Sequence, residues 1–257
     1  MIEVSHLNYT AGKRKILSDI SFHMKNRGFY GIVGNNGSGK TTLVRFLSGI
    51  TDVPDNTIRI MGRDINSYSH KTLARHIALV PQHTSLMFDF SAHQIVLMGR
   101  MPYQKPLHAD SEQDLETVRD CMTKTNTWHL RDMNVNNLSG GEFQRVIIAR
   151  ALAQQTPILF LDEAISNLDI HHQIEIMDLL KRINAESETC IVMILHDLNL
   201  AMQYCDELLV LKEGSLEAFG PTEEILTREN IRNIFNVDAS LVDCGPDLKR
   251  HIIISRL

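Results

Sequence analysis

The chain has 257 residues, a formal net charge of -5 at neutral pH, 43% hydrophobic residues and four cysteines. This length allows one large or two small domains with a sizeable buried core. The acidic balance does not support a protein that neutralises a nucleic-acid backbone by general basicity, so no nucleic-acid partner is predicted.

The cysteines and histidines show no metal-ligand spacing. Cys121, Cys190, Cys205 and Cys244 contain no CxxC pair, and no two of the twelve histidines are spaced i, i+4. We therefore predict reduced, mostly packed thiols and no metal site built from these residues. No apolar run approaches the roughly 20 residues of a membrane helix, and the start has no signal pattern. The chain is expected in the cytoplasm, attached to a membrane only by docking to a partner.

The N-terminal region is predicted to form two half-buried strands. Residues 2–7 and 20–24 alternate apolar and polar side chains, and a basic turn with Gly12 lies between them. Tyr9 follows the first strand. A single aromatic residue beside a sheet most often packs against the core or the sheet edge, and the residue alone favours that interpretation.

A glycine-rich loop follows at Gly34 to Thr41, GNNGSGKT. The apolar run Phe29 to Val33 precedes it, and apolar residues at helical spacing from Leu43 follow it, which predicts strand, loop and helix. Such a loop points backbone N–H groups at an anion, and the helix dipole adds to the attraction. The loop matches the Walker A pattern in the required context. Lys40 would reach the β- and γ-phosphates of a nucleotide, and the Thr41 hydroxyl would ligate Mg²⁺.

Two more strands are predicted at Thr57 to Met61 and Ile77 to Val80, the second stopped by Pro81. Gln82 stands just past that strand. Because the carboxyl ends of strands face the ligand in an open α/β sheet, Gln82 is either a ligand contact or an ordinary loop residue.

Helical signals dominate from about Phe88 to Ala153. Ser91 and Gln94 form a capping box, and a second helix is predicted from Asp110 through about Lys124, after the proline-bounded turn MPYQKP. We interpret this region as a helical insertion into an α/β core.

The segment Leu138 to Arg145, LSGGEFQR, opens another predicted helix, which runs to about Gln154. Ser139 and Glu142 form its capping box, so Gly140 and Gly141 fall in the first turn. A first turn of small residues leaves backbone donors accessible, which indicates a second possible anion site.

The apolar run Ile158 to Leu161 is typical of a central parallel strand and ends in Asp162 and Glu163. An isolated Asp-Glu pair would be a solvated loop. A phosphate-binding loop, however, needs a carboxylate at a neighbouring strand end, where Asp162 would serve the Mg²⁺ shell. Glu163 would polarise the attacking water.

The remaining pattern continues the α/β alternation. A helix is predicted at 169–183, and a buried strand at 191–195 precedes His196 and Asp197. Residues 208–211 and 215–219 form a predicted hairpin near the sheet edge. The chain turns helical after Pro221 and again before Phe235, and HIIISRL is predicted to be a last strand.

The order Walker A, Gln82, LSGGE, LFLDE and a lone histidine in LHDL resembles the ATP-binding subunits of ABC transporters over residues 1–240. The resemblance implies an α/β P-loop NTPase core with a mostly parallel sheet, flanking helices, an antiparallel N-terminal β subdomain and a helical insertion. The implied domains are an ATP-binding core at 1–87 and 154–240, a helical signature subdomain at 88–153 and a C-terminal extension at 241–257.

The resemblance also implies residue roles. Tyr9 would stack on adenine, in place of its packing role, and Gln82 would approach Mg²⁺ and the attacking water. His196 would hydrogen-bond the γ-phosphate. Other residues would act across a head-to-tail dimer, where Ser139, Gly140 and Gly141 would contact the nucleotide of the opposite subunit and Asp169, at the end of ISNLD, would lie at the interface. The loop contacts to ATP would come from Gly34, Asn35, Asn36, Gly37, Ser38, Gly39, Lys40, Thr41 and Thr42.

The stretches MGRMPY, LDIHHQ and HDLNLAMQYCDELLVLKEG are similar to the subunits that power importers of iron-siderophore complexes, haem and vitamin B12. The partners so implied are a second copy, polytopic permease subunits and, indirectly, a substrate-binding protein. The implied location is the cytoplasmic face of the cell membrane, reached through the permease.

Other interpretations stay open, namely an importer ATPase for another substrate such as an oxyanion, or a soluble ABC ATPase of the DNA-repair or translation class. The segment 88–137 is too short for the coiled coil of the repair class. The single Walker A argues against a two-cassette translation factor. An ordinary P-loop kinase or GTPase would leave LSGGE unexplained. One departure from the ABC pattern is visible, because Ala164 and Ile165 stand where the family commonly has Pro-Thr. Neither missing residue is catalytic, so hydrolysis is expected to be retained.

Overall fold

The computed structural model describes residues 1–25, 27–82, 84, 89–105, 109–166, 168–187, 189–245 and 249–256. The chain divides into two compact units, Met1–Ser67 with Cys190–Leu257, and Tyr68–Thr189. The predicted helical insertion, 88–153, lies within the second unit, and its boundary at residues 87 and 88 falls outside the described residues. The predicted domain boundaries stay a prediction.

Most strands belong to the first unit and most helical residues to the second. The described strands are β1 Ile2–Ala11, β2 Arg14–Met24, β3 Phe29–Val33, β4 Ile58–Ile60, β5 Arg63–Asp64, β6 Ile77–Val80, β7 Ile158–Leu161, β8 Cys190–Ile194, β9 Glu207–Lys212, β10 Ser215–Pro221, β11 Asp238–Val242 and β12 His251–Ser255. The described α-helices are α1 Lys40–Leu47, α2 His70–Leu73, α3 Ala92–Leu97, α4 Glu112–Lys124, α5 Gly140–Ala153, α6 Ile170–Ser187, α7 Leu198–Tyr204, α8 Thr222–Ile225 and α9 Arg228–Phe235.

The first unit combines antiparallel and parallel pairing. An antiparallel sheet has the strand order β2, β1, β4, β5. In the other sheet, β3 is parallel to both β8 and β9, and β10 pairs antiparallel with β9. All residues of β3 and β8 are buried and most are apolar, as expected for parallel strands covered on both faces. The predicted edge hairpin is confirmed by β9 and β10, and the predicted last strand by β12, which pairs with β11.

The strands β1 and β2 are longer than the predicted 2–7 and 20–24, and only Gly12 and Lys13 remain in the turn. The pairing register shifts after Val4, Leu7 and Tyr9. Each shift moves the following side chains out of simple alternation, because the side-chain period of a strand is two. A pattern of period two therefore stops at the first irregularity although the strand continues.

In the second unit, β6 and β7 are parallel, and the N–H of Asp162 donates to Val80 O at 2.9 Å just beyond β7. The capping boxes of Ser91 with Gln94 and of Ser139 with Glu142 are confirmed. The helix predicted from Asp110 begins at Glu112, because Ser111 and Asp114 form a third capping box there. Pro106 of the predicted turn MPYQKP lies outside the described residues.

The second unit contains a buried ion pair between Arg100 and Asp114, whose side chains are 5% and 10% exposed. The Arg100 Nε atom donates to Asp114 Oδ1 at 2.8 Å, and Nη1 donates to Ala153 O at 2.7 Å and Gln155 Oε1 at 2.9 Å. The Asp114 carboxylate also accepts from the Ser111 hydroxyl, and this bond, followed by the bond from Arg100, lowers the pKa of Asp114. One guanidinium thus joins the start of α4 to the end of α5.

We expect Arg100→Ala to destabilise the protein by about 3–5 kcal/mol, because it leaves the Asp114 charge buried without its partner. Denaturant unfolding measures the loss. The control is Arg131→Ala, since Arg131 pairs with Asp132 at the surface and exposed pairs contribute about 1 kcal/mol or less. A loss for Arg100→Ala no larger than that of the control would contradict the expectation.

Candidate functional site

The glycine-rich loop joins β3 to α1 in the first unit and requires glycine at two positions. Gly34 has φ 148°, and a Cβ added to it would lie 2.1 Å from Leu211 O. Gly39 has φ 100°, and a Cβ there would lie 2.8 Å from Leu17 Cδ2. Side chains at either position would combine a left-handed backbone with a steric clash. The loop can therefore keep this path only with glycine at both positions.

Lys40 is the first residue of α1 and is 5% exposed. Its Nζ atom donates to Gly34 O at 2.8 Å and to Asn35 O at 3.0 Å, so the ammonium lies under the loop. The Ser38 Oγ atom is buried, and no partner for it exists among the described residues. A buried polar atom without a partner is costly, which favours a ligand at this loop.

A cavity of about 400 Å³ in the first unit lies beside the loop, lined by Asn35 to Ser38. Arg14, Lys15 and Lys212 also line it, with Glu213 as the acidic residue of its lining. Three cationic side chains and a loop that leads into a helix N-terminus suit a ligand with several negative charges.

Two further predicted residues of the first unit have different surroundings. Tyr9 is half-buried, and its ring packs edge to face on Phe46 of α1 with the centroids 4.9 Å apart. The packing favoured by the residue alone is thus present, and stacking on adenine stays a prediction. His196 is exposed and follows Leu195, whose N–H donates to Ile32 O at 3.1 Å.

In the second unit, the strand ends bring Gln82 and Glu163 together. Gln82 follows β6, Glu163 follows β7 by two residues, and Gln82 Nε2 donates to Glu163 Oε2 at 2.7 Å. Glu163 has φ 51°, a left-handed conformation that is uncommon for a residue with a side chain. Asp162 is 6% exposed. Glu163, which is predicted to polarise the attacking water, is therefore held by the side-chain amide of Gln82, which is predicted to approach the same water.

The turn at the start of α5 has Ser139 as its cap. Its N–H and hydroxyl donate to Glu142 Oε2 at 2.9 Å and 2.7 Å, and the hydroxyl bond is the main reason that the pKa of Glu142 lies below its usual range. Ser139 and Gly140 are exposed, and among the described residues no atom lies within 4 Å of a Cβ added to Gly140. The first turn of this helix is open to an approaching ligand.

Asp169 caps α6 from the end of the loop that follows Glu163. Its carboxylate accepts from the His172 backbone N–H at 3.0 Å and contacts His172 Nδ1 at 2.8 Å, and these two bonds lower the pKa of Asp169. Ala164 and Ile165, which stand where the family commonly has Pro-Thr, are both buried. Asn167 of ISNLD lies outside the described residues.

No role is predicted from the sequence for His172 or Gln173, both in LDIHHQ. A signal for the cap was present, because an aspartate at the start of a predicted helix is a preferred N-cap residue. The contact of His172 with the start of α5 is visible only in the structure.

Cys121, Cys190 and Cys205 are buried, while Cys244 is exposed. Burial raises the pKa of the Cys121 thiol to about 11 and that of Cys190 to about 12. Within the part of the chain that the structure describes, no three histidine, cysteine or acidic side chains gather as a metal site would require. Nor does any helix in that part have the length and apolar character to cross a bilayer.

The fold and the glycine-rich loop together define the class of protein. A glycine-rich loop between a buried parallel strand and a helix, with carboxylates at the end of another parallel strand, is the arrangement of a P-loop NTPase. The sequence profile of ABC transporters matches residues 17–166. The chain belongs to the ABC transporter family.

Several relatives of the chain are named for the transport or import of metal chelates. It is 36% identical to the ferric enterobactin transport ATP-binding protein FepC of Escherichia coli, over 90% of this chain and 86% of that one. It is 37% identical to the hemin import ATP-binding protein HmuV of Bradyrhizobium diazoefficiens, over 93% and 90%. It is also 36% identical to the cobalamin import ATP-binding protein BtuD of Halobacterium salinarum, over 91% of this chain but only 58% of that protein's length.

Solved structures agree with this membership. A metal-chelate type ABC transporter in an inward-facing conformation matches with a TM-score of 0.86 at 26% identity, over 99% of this chain and 97% of that one. A dimeric bacterial ABC transporter cassette matches with a TM-score of 0.75 at 27% identity, over 86% and 99%.

Proposed function

We propose that the chain is the ATP-hydrolysing subunit of a membrane ABC importer and drives uptake of a metal chelate of the iron-siderophore, haem or cobalamin type. The observation that carries the proposal is the exposed first turn of α5, Ser139 and Gly140, in a chain of the ABC transporter family that also contains the glycine-rich loop. The relatives named for siderophore, haem and cobalamin import support the cargo class.

The residues in and around the glycine-rich loop fit a nucleoside triphosphate. The buried ammonium of Lys40 and the basic cavity suit phosphate oxygens, and so does the hydroxyl of Ser38, which has no partner among the described residues. We assign ATP contacts to the loop from Gly34 to Thr42 and an adenine contact to Tyr9. When bound, Mg²⁺ would supply charge neutralisation at the β- and γ-phosphates.

The proposed Mg²⁺ ligands are the Thr41 hydroxyl, Gln82 and Asp162, which are the oxygen donors that this ion prefers. Glu163 would accept a proton from the attacking water, and its bond from Gln82 would orient it. His196 would donate a hydrogen bond to the γ-phosphate. These roles follow from family membership and from the chemistry of each side chain.

The exposed turn suggests that one chain is half of the working site. Charge that builds on the transferred phosphoryl group needs donors on more than one side. Ser139, Gly140 and Gly141 of a second copy would supply them in a head-to-tail dimer, with Asp169 at the interface. The similarity to a dimeric cassette supports this arrangement.

The proposed partners are a second copy, a polytopic permease and, through the permease, a substrate-binding protein. The chain would then sit peripherally at the cytoplasmic face of the membrane. This proposal is tested by capturing the tagged full chain from solubilised membranes and identifying what copurifies. We expect a polytopic membrane protein, absent when an unrelated tagged protein is captured. Ribosomal proteins or DNA in its place would contradict the importer and favour the soluble ABC ATPase.

A further inference from the structure

The helix α6 begins with a network of side chains, of which the proposed function uses Asp169 but not His172 or Gln173. Gln173 Nε2 donates to Ile165 O at 3.2 Å and to Leu168 O at 3.0 Å. One amide thus holds two carbonyls of the loop between Glu163 and Asp169. Together with the Asp169 cap, these bonds hold Ile165 and Leu168 against the first turn of the helix.

His172 extends that network to the first turn of α5. A Cβ added to Gly141 would lie 2.9 Å from His172 Cδ2, 3.1 Å from Cγ and 3.3 Å from Nε2. Three ring atoms at these distances mean that the imidazole packs directly on the Gly141 backbone. A side chain at Gly141 would displace the ring or the helix, since contacts this short are rare for a real Cβ.

The same ring is fixed from the other side by Asp169. The lowered pKa of Asp169 keeps its carboxylate ionised, so it can only accept and His172 Nδ1 must carry the proton. The His172 side chain is 32% exposed, compared with 77% for the adjacent His171, whose ring lies 3.6 Å from Glu175 instead. Of these neighbours, His172 is the one that bridges Asp169 and Gly141.

We propose that His172 is a positioning residue for ATP hydrolysis, which sets the spacing between the Asp169 loop and the Ser139–Gly141 turn of the same chain. The inference rests on the proposed function, in which both segments act on the nucleotide of a second copy. A displacement of about 1 Å costs roughly 100-fold in rate when reacting groups must be aligned. Binding of ATP to the glycine-rich loop does not depend on this spacing.

The test compares ATP hydrolysis and ATP affinity of the full chain in four variants. His172→Asn keeps an N–H for Asp169 but loses the ring, His172→Phe keeps the ring but loses the donor, and His172→Ala loses both. His171→Ala is the matched control. We expect kcat to fall roughly 10- to 100-fold for His172→Ala, with partial recovery in His172→Asn, while calorimetric ATP affinity stays at the wild-type value. The control should keep wild-type kcat.

A wild-type kcat in His172→Ala overturns the inference, and so does a loss of activity that is confined to a raised KM for ATP. If the wild type and His171→Ala both fail to hydrolyse ATP, the proposed function fails and the inference falls with it. A second measurement is independent of hydrolysis. In a double-mutant cycle of unfolding, Gly141→Ala should cost less in the His172→Ala background, and additive effects would show that the ring does not set this spacing.

Discussion

Replacement of Lys40 by alanine is expected to weaken ATP binding by about 100-fold or more. The ammonium is buried under the loop and holds the carbonyls of Gly34 and Asn35, so the variant loses both a charged phosphate donor and the support of the loop. A hydrogen bond to a charged group contributes about 1.5–3 kcal/mol, so the loss of one phosphate donor, together with the loss of support for the loop, accounts for an effect of this size. Calorimetric titration of the full chain with Mg·ATP measures it.

The matched control for this variant is Lys71→Ala. The Lys71 ammonium also donates to a backbone carbonyl, Gln104 O at 2.7 Å, but belongs to α2 and not to the loop. It should bind ATP as the wild type does. An unchanged ATP affinity in Lys40→Ala would show that the loop is not the phosphate site.

The second large effect is expected from Glu163→Gln, which should hydrolyse ATP about 100- to 10,000-fold more slowly, as expected on loss of a general base. The substituted amide oxygen can still accept from Gln82 Nε2, so the local geometry is retained while the proton acceptor is lost. ATP binding should stay normal, and an ATP-dependent dimer should accumulate because the nucleotide is not consumed. Phosphate release and sedimentation with ATP measure the two consequences.

Glu175→Gln is the control for this carboxylate. Glu175 of α6 is 46% exposed and pairs with Arg145 of α5 at 3.2 Å, so its variant changes the same charge without touching the strand ends. Its rate should match the wild type. Normal hydrolysis by Glu163→Gln would contradict the assignment of Glu163 as the base.

The parts of this fold that the sequence predicts are those with local causes. The capping box of Ser139 with Glu142 spans three residues, and the buried strands β3, β7 and β8 are continuous apolar runs. Each pattern is complete within a few positions. Such features need no knowledge of distant parts of the chain.

The parts that the sequence does not predict depend on long-range contacts. Gln82 and Glu163 are 81 residues apart, and only the pairing of β6 with β7 brings their side chains within hydrogen-bond distance. The contact of His172 with Gly141 likewise requires α5 and α6 to approach each other. The full length of β1 could not be predicted, because its register shifts interrupt the alternation of apolar and polar side chains. The sequence therefore predicts which residues belong to the candidate site, but it does not predict which side chains contact one another.

Phosphate release from Mg·ATP by the complex that copurifies with the full chain from membranes tests the proposed function most directly. The wild-type complex should hydrolyse ATP, and hydrolysis should be lost when Glu163→Gln replaces the wild-type chain. A complex that contains the polytopic partner and releases phosphate equally with either chain would contradict the proposed function.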